Sequence, residues 1–231
     1  MFFYVLTSFL QRLAWAPTRV FLSSFLGFNV HGHDHLGRAA RHVGGVIFAA
    51  NHLWEIDPIL LTAGIPFWGR LLPMHYVAMA KEHYQHLPGW RAVAGGRIFK
   101  AWGAYPALLG VKNFDLSLRE HLHLLKQGKS LCIFPEGGMC RAGATYEPKP
   151  GVAYLAWKTG ACIVPVRLVN SGPFTSRDFF ARRLRAGVVY GEPFSFADVA
   201  EKQEEYSVAE LKLIAARIMA RVSALPSPYA L

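Results

Sequence analysis

The chain has 231 residues, of which 52% are hydrophobic and 17% are charged, so it is long enough for one domain with a sizeable core. This composition excludes a disordered chain, and three cysteines without a CxxC pair exclude a disulfide framework. The formal net charge of +10 favours an anionic partner, such as a phospholipid surface, nucleic acid, an acidic carrier or a phosphorylated substrate.

The N-terminal segment, residues 1–27, is the most apolar part of the chain. Gln11-Arg12 and Pro17-Thr18-Arg19 interrupt it well short of the ~20 residues that a membrane span needs. It has no basic start and no small-residue cleavage site, so we do not expect a removable signal peptide. Aromatic residues and leucines interleaved with arginines predict helices that lie in a membrane interface. The alternative is a helical hairpin packed on the domain formed by residues 28–231.

Apolar strands and helices alternate after residue 27. The predicted strands are "FNVHG", "GGVIFAAN", "MHYVAMA", "SLCIFPEG", "ACIVPVRLV" and "AGVVYGEP". Helices are predicted after Asp57, after Asp115 as a cap, over "GVAYLAWKTG", and from the capping box Ser207-x-x-Glu210. Continuous apolar strands separated by helices predict an α/β fold with a layered, largely parallel sheet flanked by helices.

Polar residues follow the second of these strands. His52 comes directly after the apolar run "VGGVIFAAN", and Asp57-Pro58 has the pattern of a helix start, with Asp as the N-cap. His52 therefore lies within reach of Asp57, at the edge of the sheet where parallel folds bind ligands. Asp57 either caps the helix or orients His52 for proton transfer, and one carboxylate can do both.

A second strand end carries Glu136, in "CIFPEGGMCR". Gly137 and Gly138 free the backbone there to present N–H groups to a ligand. A carboxylate in such a turn is ordinarily a surface residue. Because it shares the sheet edge with His52, we interpret it as part of a binding site.

These blocks resemble, in order, those of the 1-acylglycerol-3-phosphate acyltransferase family, a group of glycerolipid acyltransferases with H-x4-D and FPEG motifs. The matching blocks are Asn51-His52-x4-Asp57-Pro58, Phe134-Pro135-Glu136-Gly137, Lys149-Pro150-Gly151 and Val164-Pro165-Val166, and "VYGEPF" resembles the last strand. The resemblance implies that residues 28–231 are an O-acyltransferase domain of phospholipid biosynthesis. Such an enzyme moves a fatty acyl chain from acyl-CoA or acyl-carrier protein to a hydroxyl of a lysophospholipid-type acceptor. It also implies association with membrane lipids at the cytoplasmic face.

The resemblance implies roles for individual residues. His52 is the base that takes the hydroxyl proton, and Asp57 holds its tautomer and stabilises the imidazolium. Substrate-binding residues are expected to be Glu136, Gly137, Gly138, Arg141 and Lys149. We expect no cofactor beyond the acyl thioester and no metal, because "HGHDH" at residues 31–35 is one spacer short of a binuclear metal motif.

The chain departs from the family where the acceptor's phosphate binds. The family pattern continues FPEGTRS, whereas this chain has Gly138-Met139-Cys140, and Arg141 is the next guanidinium. "WGAYPALLGVK" likewise offers Lys112 but no arginine. Two alternatives therefore stay open: an acceptor without phosphate, such as a glycolipid or carotenoid, and a non-catalytic basic lipid-binding module. Nucleic acid is not expected, because the aromatic residues lie in apolar runs rather than between basic residues.

Overall fold

The computed structural model describes residues 2–78, 100–108, 110–111, 113–139, 146–170 and 175–227. The strands are β1 (Asn29–His31), β2 (Val46–Ala50), β3 (Met74–Ala78), β4 (Ala104–Pro106), β5 (Ser130–Ile133), β6 (Cys162–Asn170) and β7 (Ala186–Tyr190). The helices are α1 (Phe2–Leu26), α2 (His33–Arg41), α3 (Asp57–Gly64), α4 (Phe114–Ser117), α5 (Arg119–Lys126), α6 (Gly151–Thr159), α7 (Ser176–Phe180) and α8 (Val208–Ser223).

Within these residues the strands form one sheet in the order β1-β7-β6-β2-β5-β3-β4. Neighbouring strands are parallel except for β6 and β7, which are antiparallel. The predicted α/β fold with a largely parallel sheet is confirmed.

The central strand β2 is buried on both faces because helices cover each side of the sheet. Phe48 and Ala50 point into a core shared with α1, α2 and α3. Ile47 and Ala49 point into a second core, shared with α5, α6 and α8. This alternation follows from the two-residue period of a strand, and it brings the residue after Ala50 out at the carboxyl edge of the sheet.

The N-terminal segment is one helix, α1, that contains Pro17, so the alternative of a helical hairpin is wrong. It packs on the domain: Leu22 and Leu26 belong to the core beneath the sheet. No helix among the described residues is both long enough and apolar enough to cross a membrane. The domain boundary at residue 27 stays a prediction, although α1 shares the domain's core.

The contacts of Gln11 explain why this polar residue lies within the apolar segment. Its side chain is 1% exposed. Its amide donates to the carbonyls of Met74 (2.7 Å) and Trp102 (2.9 Å) and accepts the N–H of Met74 (2.8 Å). A buried amide is tolerated because its hydrogen bonds are satisfied. Gln11 therefore joins α1 to the start of β3.

The predicted helix ends are confirmed in part. Ser207 and Glu210 form the expected capping box of α8, and Gly160, in a left-handed conformation, ends α6. Asp115 is not the cap of its helix, however. The Asn113 side chain accepts the N–H groups of Asp115 and Leu116 instead, so the cap lies two residues earlier.

Two histidines, His75 and His121, are fully buried near the amino edge of the sheet. Burial lowers the pKa of His75 from 6.5 to about 4, and the nearby Lys129 charge acts in the same direction. Burial also lowers the pKa of His121 from 6.5 to about 4, although a hydrogen bond to the Tyr105 carbonyl and the charge of Glu120 oppose the shift. Both side chains are therefore neutral at pH 7.

We expect these histidines to make the protein less stable in acid. Between pH 6.5 and 4 the unfolded chain binds protons that the folded chain does not, so the free energy of unfolding falls as pH falls. The full effect is on the order of 3 kcal/mol per histidine. Denaturant unfolding across this range should show a flatter pH dependence for His75→Gln/His121→Gln than for the parent. His123→Gln, an exposed position of α5, is the control, and an equal flattening there would contradict the assignment.

Candidate active site

Asn51 fixes the point at which the chain leaves the sheet. Its side-chain amide donates to the Leu168 carbonyl (3.0 Å), and its side-chain oxygen accepts the Leu168 N–H (2.7 Å). The backbone pairing of β2 with β6 ends at Ala50 and Val166. The Asn51 side chain thus extends this pairing by one more step, and the loop that begins at His52 starts from a fixed position.

His52 and Asp57 are in contact across this loop. Nδ1 of His52 lies 2.8 Å from Oδ2 of Asp57. The same oxygen accepts the backbone N–H groups of Leu53 (2.5 Å) and Trp54 (2.8 Å). Asp57 is 1% exposed, so its charge is buried and is compensated by these three donors.

This contact sets the tautomer of His52. An ionised carboxylate only accepts hydrogen bonds, so Nδ1 carries the proton and donates it to Asp57. Nε2 then keeps its lone pair. Nothing in the described part of the chain bonds to Nε2, and the His52 side chain keeps 17% of its surface exposed. The ring is therefore arranged to take a proton from a molecule bound at the sheet edge.

The expectation that Asp57 caps α3 is wrong. Ile56 occupies the N-cap position, and no side chain caps the helix. The Asp57 carboxylate points back to the N–H groups of Leu53 and Trp54, which precede the helix. Of the two predicted roles, only the orientation of His52 has support in the geometry.

Glu136 and Phe134 hold His52 from the neighbouring strand end. Oε2 of Glu136 accepts the backbone N–H of His52 at 2.8 Å. The Phe134 ring stacks on the imidazole with centroids 4.2 Å apart and planes 20° apart. The FPEG block thus positions His52, whereas the sequence predicted that Glu136 shapes the acceptor site. A substrate-binding role for Glu136 stays a prediction.

The two glycines of the turn differ. Gly137 has φ of +72°, a conformation that favours glycine, and an added Cβ would lie 3.2 Å from the Lys149 side chain. Its N–H donates to the Phe134 carbonyl, so it is used within the turn. The N–H of Gly138 has no acceptor among the described residues, so it can serve a bound oxyanion.

Lys149 joins the turn through its backbone, because its N–H donates to the Pro135 carbonyl at 2.7 Å. Its aliphatic chain lies over Gly137, and the residue is exposed just before α6. Among the predicted substrate-binding residues, Glu136, Gly137, Gly138 and Lys149 therefore lie together. Arg141, like Cys140 and Lys112, lies outside the described residues. Met139 is 42% exposed beside the turn.

Cys132 lies beneath the site but is not a nucleophile. It is fully buried in β5. Burial raises the pKa of its thiol, and the negative charge of Asp57 raises it further. A neutral, inaccessible thiol does not attack a substrate. Cys132 is therefore a core residue beneath His52 and Asp57 rather than a reactive group of the site.

Sequence reasoning missed the positioning roles of Asn51 and Phe134, although both residues belong to blocks that it singled out. Their partners, Leu168 and His52, are 117 and about 82 positions away in the chain. Only an indication of which strands are neighbours would have shown these contacts.

Comparison with known proteins decides the family. A family model described as acyltransferase matches residues 27–169, more than half of the chain. The chain belongs to the acyltransferase family. The matched residues include His52, Asp57 and Glu136, so the site described above lies within the family's own segment.

Two curated relatives show what this member of the family is similar to. A glycerol-3-phosphate acyltransferase of Actinobacillus succinogenes is 30% identical over 132 residues, covering 55% of this chain and 15% of the relative. A 1-acyl-sn-glycerol-3-phosphate acyltransferase of Borreliella burgdorferi is 28% identical over 131 residues, covering 56% of this chain and 47% of the relative. The matched segments therefore span less than half of each relative.

A solved structure shares the fold of this chain. The 1-acyl-sn-glycerophosphate acyltransferase PlsC of Thermotoga maritima superposes with a TM-score of 0.54 at 19% sequence identity. The superposition covers 94% of this chain and 83% of the other. It supports the α/β architecture.

Proposed function

We propose that the protein transfers a fatty acyl chain from an acyl thioester to a hydroxyl of a lysophospholipid-type acceptor, in phospholipid biosynthesis. The observation that carries this proposal is the contact of 2.8 Å between Nδ1 of His52 and Oδ2 of Asp57, which directs the lone pair of Nε2 outwards. Family membership and the names of the relatives, which are glycerol-3-phosphate and 1-acyl-sn-glycerol-3-phosphate acyltransferases, support it.

The reaction requires one base and no enzyme nucleophile. Nε2 of His52 takes the proton of the acceptor hydroxyl while the hydroxyl oxygen attacks the thioester carbonyl carbon. The imidazolium that forms is stabilised by Asp57. The N–H of Gly138 donates to the oxygen of the tetrahedral intermediate. When the C–S bond breaks, the imidazolium returns its proton to the thiolate, and an ester and a free thiol leave.

A direct test identifies both substrates. Purified protein is incubated with acyl-CoA or acyl-carrier protein and a panel of acceptors, and products are identified by mass spectrometry. We expect a new acyl ester that is absent with His52→Ala. The outcome against this proposal is binding of lipid without any acylated product, which instead favours a non-catalytic lipid-binding module.

The acceptor's phosphate is the least constrained part of the proposal, because Met139 occupies the place of the family's arginine. Lys149 and Arg141 are the charges that we assign to the phosphate. An acceptor without phosphate, such as a glycolipid or carotenoid, is the alternative that Met139 favours.

We expect Met139→Arg to improve the use of phosphate acceptors. A charge-assisted hydrogen bond contributes about 1.5–3 kcal/mol, so kcat/KM for a lysophosphatidic acid should rise about tenfold or more. Arg141→Ala should raise the KM for the same acceptor. Steady-state kinetics with a matched acceptor that lacks phosphate provide the control, and Met139→Leu controls for the change of side chain. Equal effects on both acceptors would show that these residues do not bind the acceptor's phosphate.

We also propose that the protein binds a membrane interface through the exposed face of α1. Val5, Phe9, Leu13 and Val20 are between 59% and 66% exposed along this helix, and Trp68 beside it is 88% exposed. A helix with such an apolar stripe lies in the headgroup region of a bilayer, and tryptophan is typical of that depth. We place the enzyme on the cytoplasmic face, where acyl thioesters are available.

A further inference from the structure

The segment between β6 and β7 collects basic and aromatic side chains. It contains α7 and the turn that follows, with Arg177, Phe180, Arg182 and Arg183 exposed; we call these four residues the basic-aromatic patch. Asn170 pairs with Ala186 where β6 ends and β7 begins. The patch therefore lies beyond the carboxyl end of β6, on the same edge of the sheet as His52.

Stacked rings join the patch to the C-terminal part of α1. Phe179 lies 5.2 Å from Phe25, with ring planes 12° apart, and 5.9 Å from Phe21. The Arg182 guanidinium lies 5.2 Å from the centroid of the Phe25 ring. Phe180 is 75% exposed and Phe21 is 47% exposed. The patch thus packs on the C-terminal end of α1, beside the exposed ring of Phe21.

The backbone of the patch is held in an unusual shape. Arg182 has φ of 54°, which is costly for a residue with a side chain. Its N–H donates to the Phe179 carbonyl (3.0 Å), and the Arg183 N–H donates to the Asp178 carbonyl (2.9 Å). These bonds fix the turn that presents the two neighbouring guanidinium groups.

The arginines of the patch have no acidic partner among the residues that the structure describes. Across the described ranges, no carboxylate lies within ion-pair distance of Arg177, Arg182 or Arg183. The carboxylate of Asp178, in the same segment, accepts one hydrogen bond from the Thr175 hydroxyl (2.5 Å). The backbone N–H of Asp178 donates to the Thr175 hydroxyl oxygen (3.1 Å). Guanidinium groups without a described acidic partner lie next to an exposed phenylalanine ring. This combination matches the surface of a phospholipid bilayer, where phosphate groups lie above an apolar layer.

We propose that the basic-aromatic patch binds anionic phospholipid head groups and docks the catalytic edge of the sheet on the membrane. This inference rests on the membrane association proposed above and adds a lipid class and a second point of attachment. Two attachments, the stripe of α1 and the patch, orient His52 towards the lipid surface. A bilayer fits better than an acidic carrier protein, because the stripe from Val5 to Val20 extends the contact by about 22 Å along a helix.

Vesicle binding by the full chain tests the proposal, using phosphatidylcholine vesicles with and without phosphatidylglycerol. Each arginine at an anionic surface contributes about fivefold in binding, so Arg177→Gln/Arg183→Gln should weaken binding to the anionic vesicles about thirtyfold at low salt. Binding to pure phosphatidylcholine should not change. Lys126→Gln/Lys202→Gln removes the same charge from exposed positions elsewhere, and equal weakening by both pairs would overturn the proposal.

The aromatic part is tested separately. Phe180→Ala should weaken binding to both kinds of vesicle, because the ring contributes apolar area rather than charge. Leu213→Ala, at a position of α8 that is 64% exposed, should have no effect. Unchanged binding of Phe180→Ala would remove the ring from the contact.

An activity assay separates this inference from the proposed function. With water-soluble, short-chain acyl-CoA and acceptor, the Arg177→Gln/Arg183→Gln protein should be as active as the parent. If the parent is inactive, the proposed function fails, while vesicle binding still decides the role of the patch. If vesicle binding is unchanged but the variant slows only with acyl-carrier protein as donor, the patch is a carrier site and the membrane assignment is wrong.

Discussion

Replacing His52 with alanine should lower kcat by about two to four orders of magnitude, the usual contribution of a positioned general base. Nε2 is the atom arranged to take the acceptor's proton, and nothing else in the described site offers a neutral nitrogen there. KM for both substrates should change little, because the proton moves to Nε2 in the transition state and the ring's protein contacts are with Asp57 and Phe134. Steady-state kinetics of the purified variant measure both constants.

Controls keep this result specific to the base. His123→Ala removes an exposed imidazole from α5 and should leave kcat unchanged. Free imidazole should restore part of the activity of His52→Ala, because the lost ring leaves space beside Asp57. Turnover of His52→Ala within tenfold of the parent would contradict the mechanism.

Replacing Asp57 with asparagine should reduce kcat nearly as much while the fold is retained. The asparagine oxygen can still accept the N–H groups of Leu53 and Trp54. The same oxygen, Oδ2, also receives Nδ1 of His52, so an asparagine oxygen in its place keeps the ring oriented but supplies no negative charge to stabilise the imidazolium. The corresponding change in Ser-His-Asp enzymes costs about 10⁴-fold.

The stability of two Asp57 variants distinguishes the role of Asp57 in orienting His52 from its contribution to folding. Asp57→Ala leaves two partly buried N–H groups without an acceptor, at about 1 kcal/mol each, so it should unfold at lower denaturant than Asp57→Asn. Both variants should be catalytically poor. Glu55→Gln, which removes an exposed charge from the same loop, should match the parent in both measurements. An Asp57→Asn protein with normal kcat would show that the carboxylate is structural only.

The carboxyl edge of the sheet was predictable because both of its polar blocks follow apolar strands. A strand that alternates between two helical layers must leave the sheet at its end, so His52 and Glu136 had to emerge at one edge once the sheet was parallel. The position of Lys149 beside Gly137 was not predictable from spacing, since the sequence between them, residues 138–148, has no local pattern. The roles of His52 and Asp57 in catalysis stay predictions until the variants are measured.

The sequence by itself determined the α/β architecture, six of the seven described strands, and the proximity of His52 to Asp57. These depend on local periodicity and on a separation of five residues, which a short loop keeps close together. The tertiary structure alone decided that Gln11 lies buried against β3, that Asn51 pairs with Leu168, and that Glu136 holds the His52 N–H. Each of these contacts joins residues more than 60 positions apart, and such contacts depend on which strands become neighbours rather than on local pattern.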